Sequence, residues 1–193
     1  MPRLFIYEKL EVGDEIVVSG EEAHHIIRVL RLGHGDLVSI SDGKSEESVG
    51  VISEVDTRST KIKIRVLYKN KFEETKPTIT LLQGLPKGEK FDWIIQKCTE
   101  IGVSRIVPII TQRTVVNIAP TKLEHRMMRW KKIAEEAAKQ SMRMDIPEIV
   151  ELLTFDEALK EIDRHHLSLI PWEQERNISL KKVLKDIDQS ITK

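Results

Sequence analysis

Three segments carry residues able to hold a charged ligand, and each follows a short apolar run. The first is Gln83-Gly84-Leu85-Pro86-Lys87-Gly88-Glu89-Lys90, the second Thr111-Gln112-Arg113, the third Pro171-Trp172-Glu173. If the apolar runs are parallel strands, these segments lie beyond their carboxyl ends, where open α/β sheets bind ligands. Taken singly, each reads equally well as an ordinary strand-to-helix loop. Charge clusters locally as well: residues 105–145 hold nine Lys/Arg and four Asp/Glu. Arg28 and Arg31 form a second basic group near the start. Two such stripes could grip a phosphate backbone, although a solvated helix face is the commoner origin of charge like this. No GxGxxG, P-loop, GxSxG or HExxH motif occurs. Cys98 falls on the apolar face of its segment and reads as a core thiol. The pairs His24-His25 and His165-His166 are adjacent, so neither pair shares one face, and no metal site is expected.

The elements that must position these residues change character near residues 69–77. Before that point come short runs that alternate or are β-branched: Leu4–Tyr7, Glu15–Val18, Leu37–Ile40, Val49–Val55 and Lys61–Leu67, the last with a clean two-residue period over Lys61–Val66. Turn signals at Gly13-Asp14, Gly33 to Asp36 and Asp42-Gly43 separate the runs, as in a small barrel. One helix, Glu21–Leu32, interrupts them, with Ser19 as its candidate cap. Lys69–Lys76 is polar and aperiodic and reads as a linker. Strand and helix then alternate. Strands are expected at Thr78–Leu85, Arg105–Ile110, Ile146–Val150 and His166–Ile170. Helices are expected through Phe91–Ile101, from the capping box Thr121–Glu124 to Met142, from a second box at Thr154–Glu157, and over Ile178–Ile187. That order predicts a parallel sheet with helices on its faces. The helix ending at Met142 could cover the sheet or form a dimer seam.

With 193 residues, 40% of them hydrophobic, the chain can bury a real core in one or two domains. Its formal net charge is zero, so net charge does not point to a nucleic-acid partner. A single cysteine forms no internal disulfide, which favours a reducing, cytoplasmic setting. No run reaches the roughly 18 apolar residues of a membrane span, and none resembles a signal peptide.

Three groups of residues together resemble one family. The first is His24 to Leu32 (HHIIRVLRL), followed by Gly35-Asp36 and Asp42-Gly43. The second is Lys87-Gly88-Glu89-Lys90, Gln96-Lys97, Glu100-Ile101-Gly102-Val103, Ile106 and Pro108. The third is Arg129-Trp130, Ala137-Ala138, Gln140-Ser141, Arg143 and Pro147-Glu148. In this order they are similar to the motifs of bacterial 16S rRNA uridine-N3 methyltransferases, of the SPOUT class. The resemblance implies an α/β architecture: a PUA-like, RNA-binding β-barrel over 1–70, then a SPOUT domain with a trefoil knot over 77–193. It implies S-adenosylmethionine as methyl donor, a homodimer, and 16S rRNA in the small ribosomal subunit as substrate. The family's Gly-Pro-Glu-Gly-Gly loop has no counterpart before Lys193, so the SPOUT domain is expected to be cut short before its knot. A chain ending there would read instead as a non-catalytic RNA-binding or ribosome-assembly module. A small-molecule enzyme on a doubly wound sheet is a third reading.

Methyl transfer to uridine N3 needs the attacking nitrogen aligned and its proton lost, with the base out of any stack. By position, Ile170 and Pro171, and also Gly84 and Leu85, are the candidate cofactor wall. Arg28, Arg31, Lys87, Arg113, Gln140 and Arg143 are the candidate RNA contacts. Glu100 reads as a structural carboxylate paired with Lys97 rather than as a general base. No catalytic base is assigned.

Overall fold

A computed structural model of the chain describes residues 1–44, 46–71, 77–114 and 120–186. The first half is one five-stranded sheet in the order β1 (Arg3–Phe5), β3 (Leu37–Ser41), β4 (Glu46–Asp56), β5 (Lys61–Lys71), β2 (Glu15–Ser19). The β1–β3 pair is parallel and the others antiparallel. Strict alternation in β5 buries Ile62, Ile64 and Val66 and turns Lys61 and Arg65 to solvent. The β4–β5 register slips at Val49/Gly50 and again at Ile52/Glu54. Such irregularities bend a ribbon, here into a half-barrel closed over its own core. At the first slip a side chain on Gly50 would place its Cβ 2.5 Å from Ile64 Cγ2.

α1 (Gly20–His24) continues into a wider π turn over His25–Val29 and plugs the half-barrel with Ala23 and Ile26. The expected helix is therefore present but not regular. Leu30 N–H donates to His25 O at 2.9 Å and Leu32 N–H to Ile26 O at 3.0 Å. Ser19 precedes α1 with extended backbone but makes no side-chain cap bond. The expected linker is also shorter than its composition suggested. Lys69, Asn70 and Lys71 extend β5 opposite Ser48, Glu47 and Glu46, and Lys69 pairs with the carboxylates of Glu46 and Glu11. Opposite charges across the strands suit a polar run to an exposed ladder. The rest of that segment, 72–76, lies outside the described residues.

The second half is a parallel sheet of β6 (Thr80–Gly84), β7 (Arg105–Ile110), β8 (Glu148–Ile149) and β9 (Leu153–Thr154), covered by α2 (Lys90–Glu100), α3 (Pro120–Gln140) and α4 (Phe155–Ile162). β8 pairs with the start of β7 and β9 with its end, so only Glu148–Ile149 of the strand expected at Ile146–Val150 forms, and β9 is a further short strand that the sequence reading did not include. Phe91 and Trp130 meet edge to face, centroids 4.6 Å apart, and fasten α2 to α3 over the sheet. Trp130 Nε1 donates to Asp92 at 3.1 Å, which satisfies its one polar atom. The Thr154–Glu157 capping box is present as expected. The Thr121 side chain of the other expected box lies outside the described residues.

The strand expected at His166–Ile170 is absent. No strand pairs with these residues among those described, and Ile170 is 82% exposed. Alternation alone cannot make a strand without a neighbour to take its hydrogen bonds. His165 just before it is held, its two ring nitrogens 2.8 Å from Glu161 O and 2.8 Å from Thr80 Oγ1. α5 (Leu180–Asp186) follows within an exposed stretch.

Candidate functional site

The carboxyl edge of the parallel sheet brings two of the three sequence segments together. β6 ends at Gly84, and a Cβ built there would lie 3.7 Å from Thr111 Cγ2 in the loop after β7. Leu85 N–H donates to Ile109 O at 3.0 Å, and its side chain is buried against the α2–α3 core. Lys87 and Gly88 follow as an exposed turn, with Gly88 at φ 69°, before α2 begins. Thr111 to Thr114 is a closed turn: Thr111 N–H donates to Thr114 Oγ1 at 2.8 Å, and Thr114 N–H to Thr111 O at 2.9 Å. That turn holds Arg113 in solvent beside the same edge. Ile170 and Pro171 lie on the exposed stretch after α4 and are not brought to this edge by any strand.

Arg28 and Arg31 are exposed at the end of the π turn, on the outside of the half-barrel. Arg31 has φ 57°, a left-handed backbone that a non-glycine residue adopts only when its surroundings impose it. Leu32 supplies that constraint by packing back on the core. An irregular turn whose apolar residues are buried thus presents its basic ones outward.

Gln140 lines an open groove of about 490 Å³ between α2 and α3, with Gln96, Arg129, Lys132 and Glu136 around an Ile133–Ala137 floor. Arg129 is not free there. It bonds Glu89 at 3.1 Å and Asp92 at 2.6 Å, and these acids raise its pKa. Arg143 is turned inward. Its guanidinium donates to Thr99 O at 2.7 Å, to Val103 O at 3.0 Å and to Asp145. It closes the carboxyl end of α2 and is not available to a phosphate. Sequence reasoning could not separate this arginine from an exposed one, because its acceptors are backbone carbonyls some forty residues away.

Glu100 behaves as expected. A hydrogen bond from Lys97, aided by that cation's charge and by Gln96, holds its carboxyl below the usual range. That is the wrong direction for a general base near neutral pH. Burial pushes the Cys98 thiol up, away from a nucleophilic thiolate. Among the described residues no cluster of His, Cys, Asp and Glu is placed to hold a metal ion, and no helix is long and apolar enough to cross a membrane.

The two halves match two family models in the same order. The model for an RNA methyltransferase PUA domain matches residues 18–65, and that for an RNA methyltransferase domain matches residues 73–192. The chain belongs to the RNA methyltransferase family. It is 31% identical over 178 residues to ribosomal RNA small subunit methyltransferase E of Bacillus subtilis, covering 90% of this chain and 69% of that protein. Against the protein of the same name from Synechocystis the identity is 30% over 160 residues, covering 83% of this chain and 50% of that one. The chain thus spans between half and about two thirds of these relatives' length. Among solved structures, small subunit methyltransferase E of Neisseria gonorrhoeae bound to S-adenosylmethionine superposes with a TM-score of 0.74 at 26% identity, over 84% of this chain and 65% of that one. A Legionella pneumophila protein in complex with the same cofactor gives 0.75 at 28% identity, over 86% and 68%. The family's PUA-like and α/β methyltransferase folds are therefore both present, in the order that the motifs implied.

Proposed function

We propose that this chain grips RNA with its half-barrel and transfers a methyl group from S-adenosylmethionine at the carboxyl edge of its parallel sheet. The substrate is small-subunit ribosomal RNA, the acceptor N3 of a uridine, and the setting the cytoplasm. The RNA-binding unit spans 1–70 and the SPOUT methyltransferase unit 77–193, with the active assembly a homodimer. The observation that carries this reading is the pairing, in one chain, of an RNA methyltransferase PUA fold with a sheet whose relatives include S-adenosylmethionine-bound proteins.

The residues at the sheet edge fit that cofactor. Gly84 leaves the backbone bare where β6 meets Thr111, so a ligand can approach the chain closely, and Leu85, buried against the α2–α3 core, anchors the backbone beside it. When bound, the cofactor supplies a methyl carbon activated on a sulfonium. Ile170 and Pro171, on the exposed stretch after α4, are the proposed remainder of the cofactor wall. Lys87 and Arg113 hold the target's phosphates or the charge on a deprotonated uridine. Arg28 and Arg31 hold the RNA farther out, and Gln140 meets a base edge from the α2–α3 groove.

Calorimetric titration of the protein with S-adenosylmethionine tests the cofactor edge. Binding is expected, weakened at least tenfold by Gly84→Val, with Arg28→Ala leaving it unchanged. Equal affinity in the Gly84→Val protein would remove the sheet edge as the cofactor site.

A further inference from the structure

The two halves are joined by more than the chain between them. The segment after α3, Met142 to Ile146, runs between the half-barrel and the methyltransferase unit and is held from both sides. On the half-barrel side, Arg3 donates to Met142 O, and Ser41 Oγ donates to Met144 O at 2.6 Å. Ile146 N–H donates to Gly43 O at 3.1 Å, and Gly43 and Asp145 form a single isolated parallel bridge. On the other side, Arg143 is bonded into the end of α2 through Thr99 O and Val103 O. Carbonyls 142 and 144 thus face one unit while the side chain between them is locked into the other.

A second clasp lies one turn earlier on α3. Lys139 Nζ reaches Glu22 of α1 at 2.6 Å and Glu135 of its own helix at 2.9 Å, and it sits 6.0 Å from the centre of the Phe5 ring. Its side chain is 18% exposed, so little water screens the pair. Arg3 is itself buried and paired with Glu47 inside the half-barrel, so its bond to Met142 O starts from a fixed base.

We infer that this double clasp makes the half-barrel and the methyltransferase sheet one rigid body, and that Ser41, Lys139 and Arg143 are positioning residues. They set the distance between the RNA-gripping turn at Arg28–Arg31 and the carboxyl edge at Gly84. The inference rests on the functional reading above for its RNA side, and on geometry alone for its rigidity. An unclasped half-barrel still binds phosphates but presents them to the sheet edge over a range of orientations. Contacts that were made together are then made one at a time, and the gain from linking two sites is lost.

The test uses the full chain, with nitrogen-15 relaxation to compare the tumbling of the two halves and titration with a small-subunit rRNA transcript to measure affinity. One common correlation time is expected for the wild type. Ser41→Ala with Lys139→Met is expected to give two shorter times, with dispersed, folded spectra and RNA affinity at least tenfold weaker. Lys139→Arg is expected to keep one correlation time and near-native affinity. Should the double variant unfold, Ser41→Ala with Glu22→Gln weakens both clasps without touching α3. Independent tumbling in the wild type would overturn the rigid coupling. Separate tumbling in the variant with undiminished RNA affinity would overturn the positioning role. If the wild type binds no rRNA, the functional reading fails and the positioning role with it, while the tumbling result still judges rigidity.

Discussion

Arg143 spends four hydrogen bonds inside the chain, two of them on carbonyls that close α2. Removing it leaves those carbonyls and Asp145 without their donor, so Arg143→Ala should lower stability by about 2–4 kcal/mol, read from chemical denaturation. Glu47 makes a pH prediction. Burial pushes its carboxyl up, but hydrogen bonds from Ser39 and Arg3, with Arg3's charge, outweigh burial and hold it below the ordinary range. A depressed folded value means that its stabilisation is present above the ordinary value of 4.5 and is lost as pH falls through the lower folded one. The melting temperature of wild type should therefore fall more steeply on acidification below about pH 4.5 than that of Glu47→Gln. Gly50→Ala places a methyl 2.5 Å from Ile64 Cγ2 and 3.1 Å from Arg65 O, and should cost about 1–3 kcal/mol by overpacking.

Elements with strong periodicity or explicit caps were legible from residues alone. β5 announced itself by alternation, β7 matches its expected bounds, and α4 starts at its capping box. Thr154→Ala removes that cap and should destabilise α4 by about 1 kcal/mol, visible as faster amide exchange in its first turn. Failures have physical causes. The π turn at His25–Val29 carries ordinary helical spacing, and only the return of Leu32 to the core forces the wider bonding. The polar end of β5 looked like a linker because cross-strand charge partners are invisible in one strand's sequence. β9 is two residues long, too short for any period. His166–Ile170 had the period but not the neighbour. Of the candidate site, Gly84 and Arg113 share an edge as their loops implied, whereas Arg143 had to be seen in three dimensions.

At the scale of the molecule, a neutral chain separates its basic surfaces onto two units and clasps those units through Lys139 and the strap at Met142–Ile146. Motif order foretold the two folds, and the family matches over 18–65 and 73–192 follow that order. The clasp was not legible, because it joins residues more than a hundred positions apart in pairs such as Lys139 with Glu22. In the proposed reading, a grip in one unit and a transfer edge in the other together define the reaction. Arg28→Ala with Arg31→Ala should weaken rRNA binding at least tenfold and flatten its salt dependence, while binding of S-adenosylmethionine is unchanged. The most direct test is to incubate the protein with radiolabelled S-adenosylmethionine and small-subunit rRNA, digest the RNA and identify the labelled nucleoside by mass spectrometry. The expected result is label in N3-methyluridine, abolished by Gly84→Val. Label on another atom or base, or none with the cofactor demonstrably bound, would contradict it.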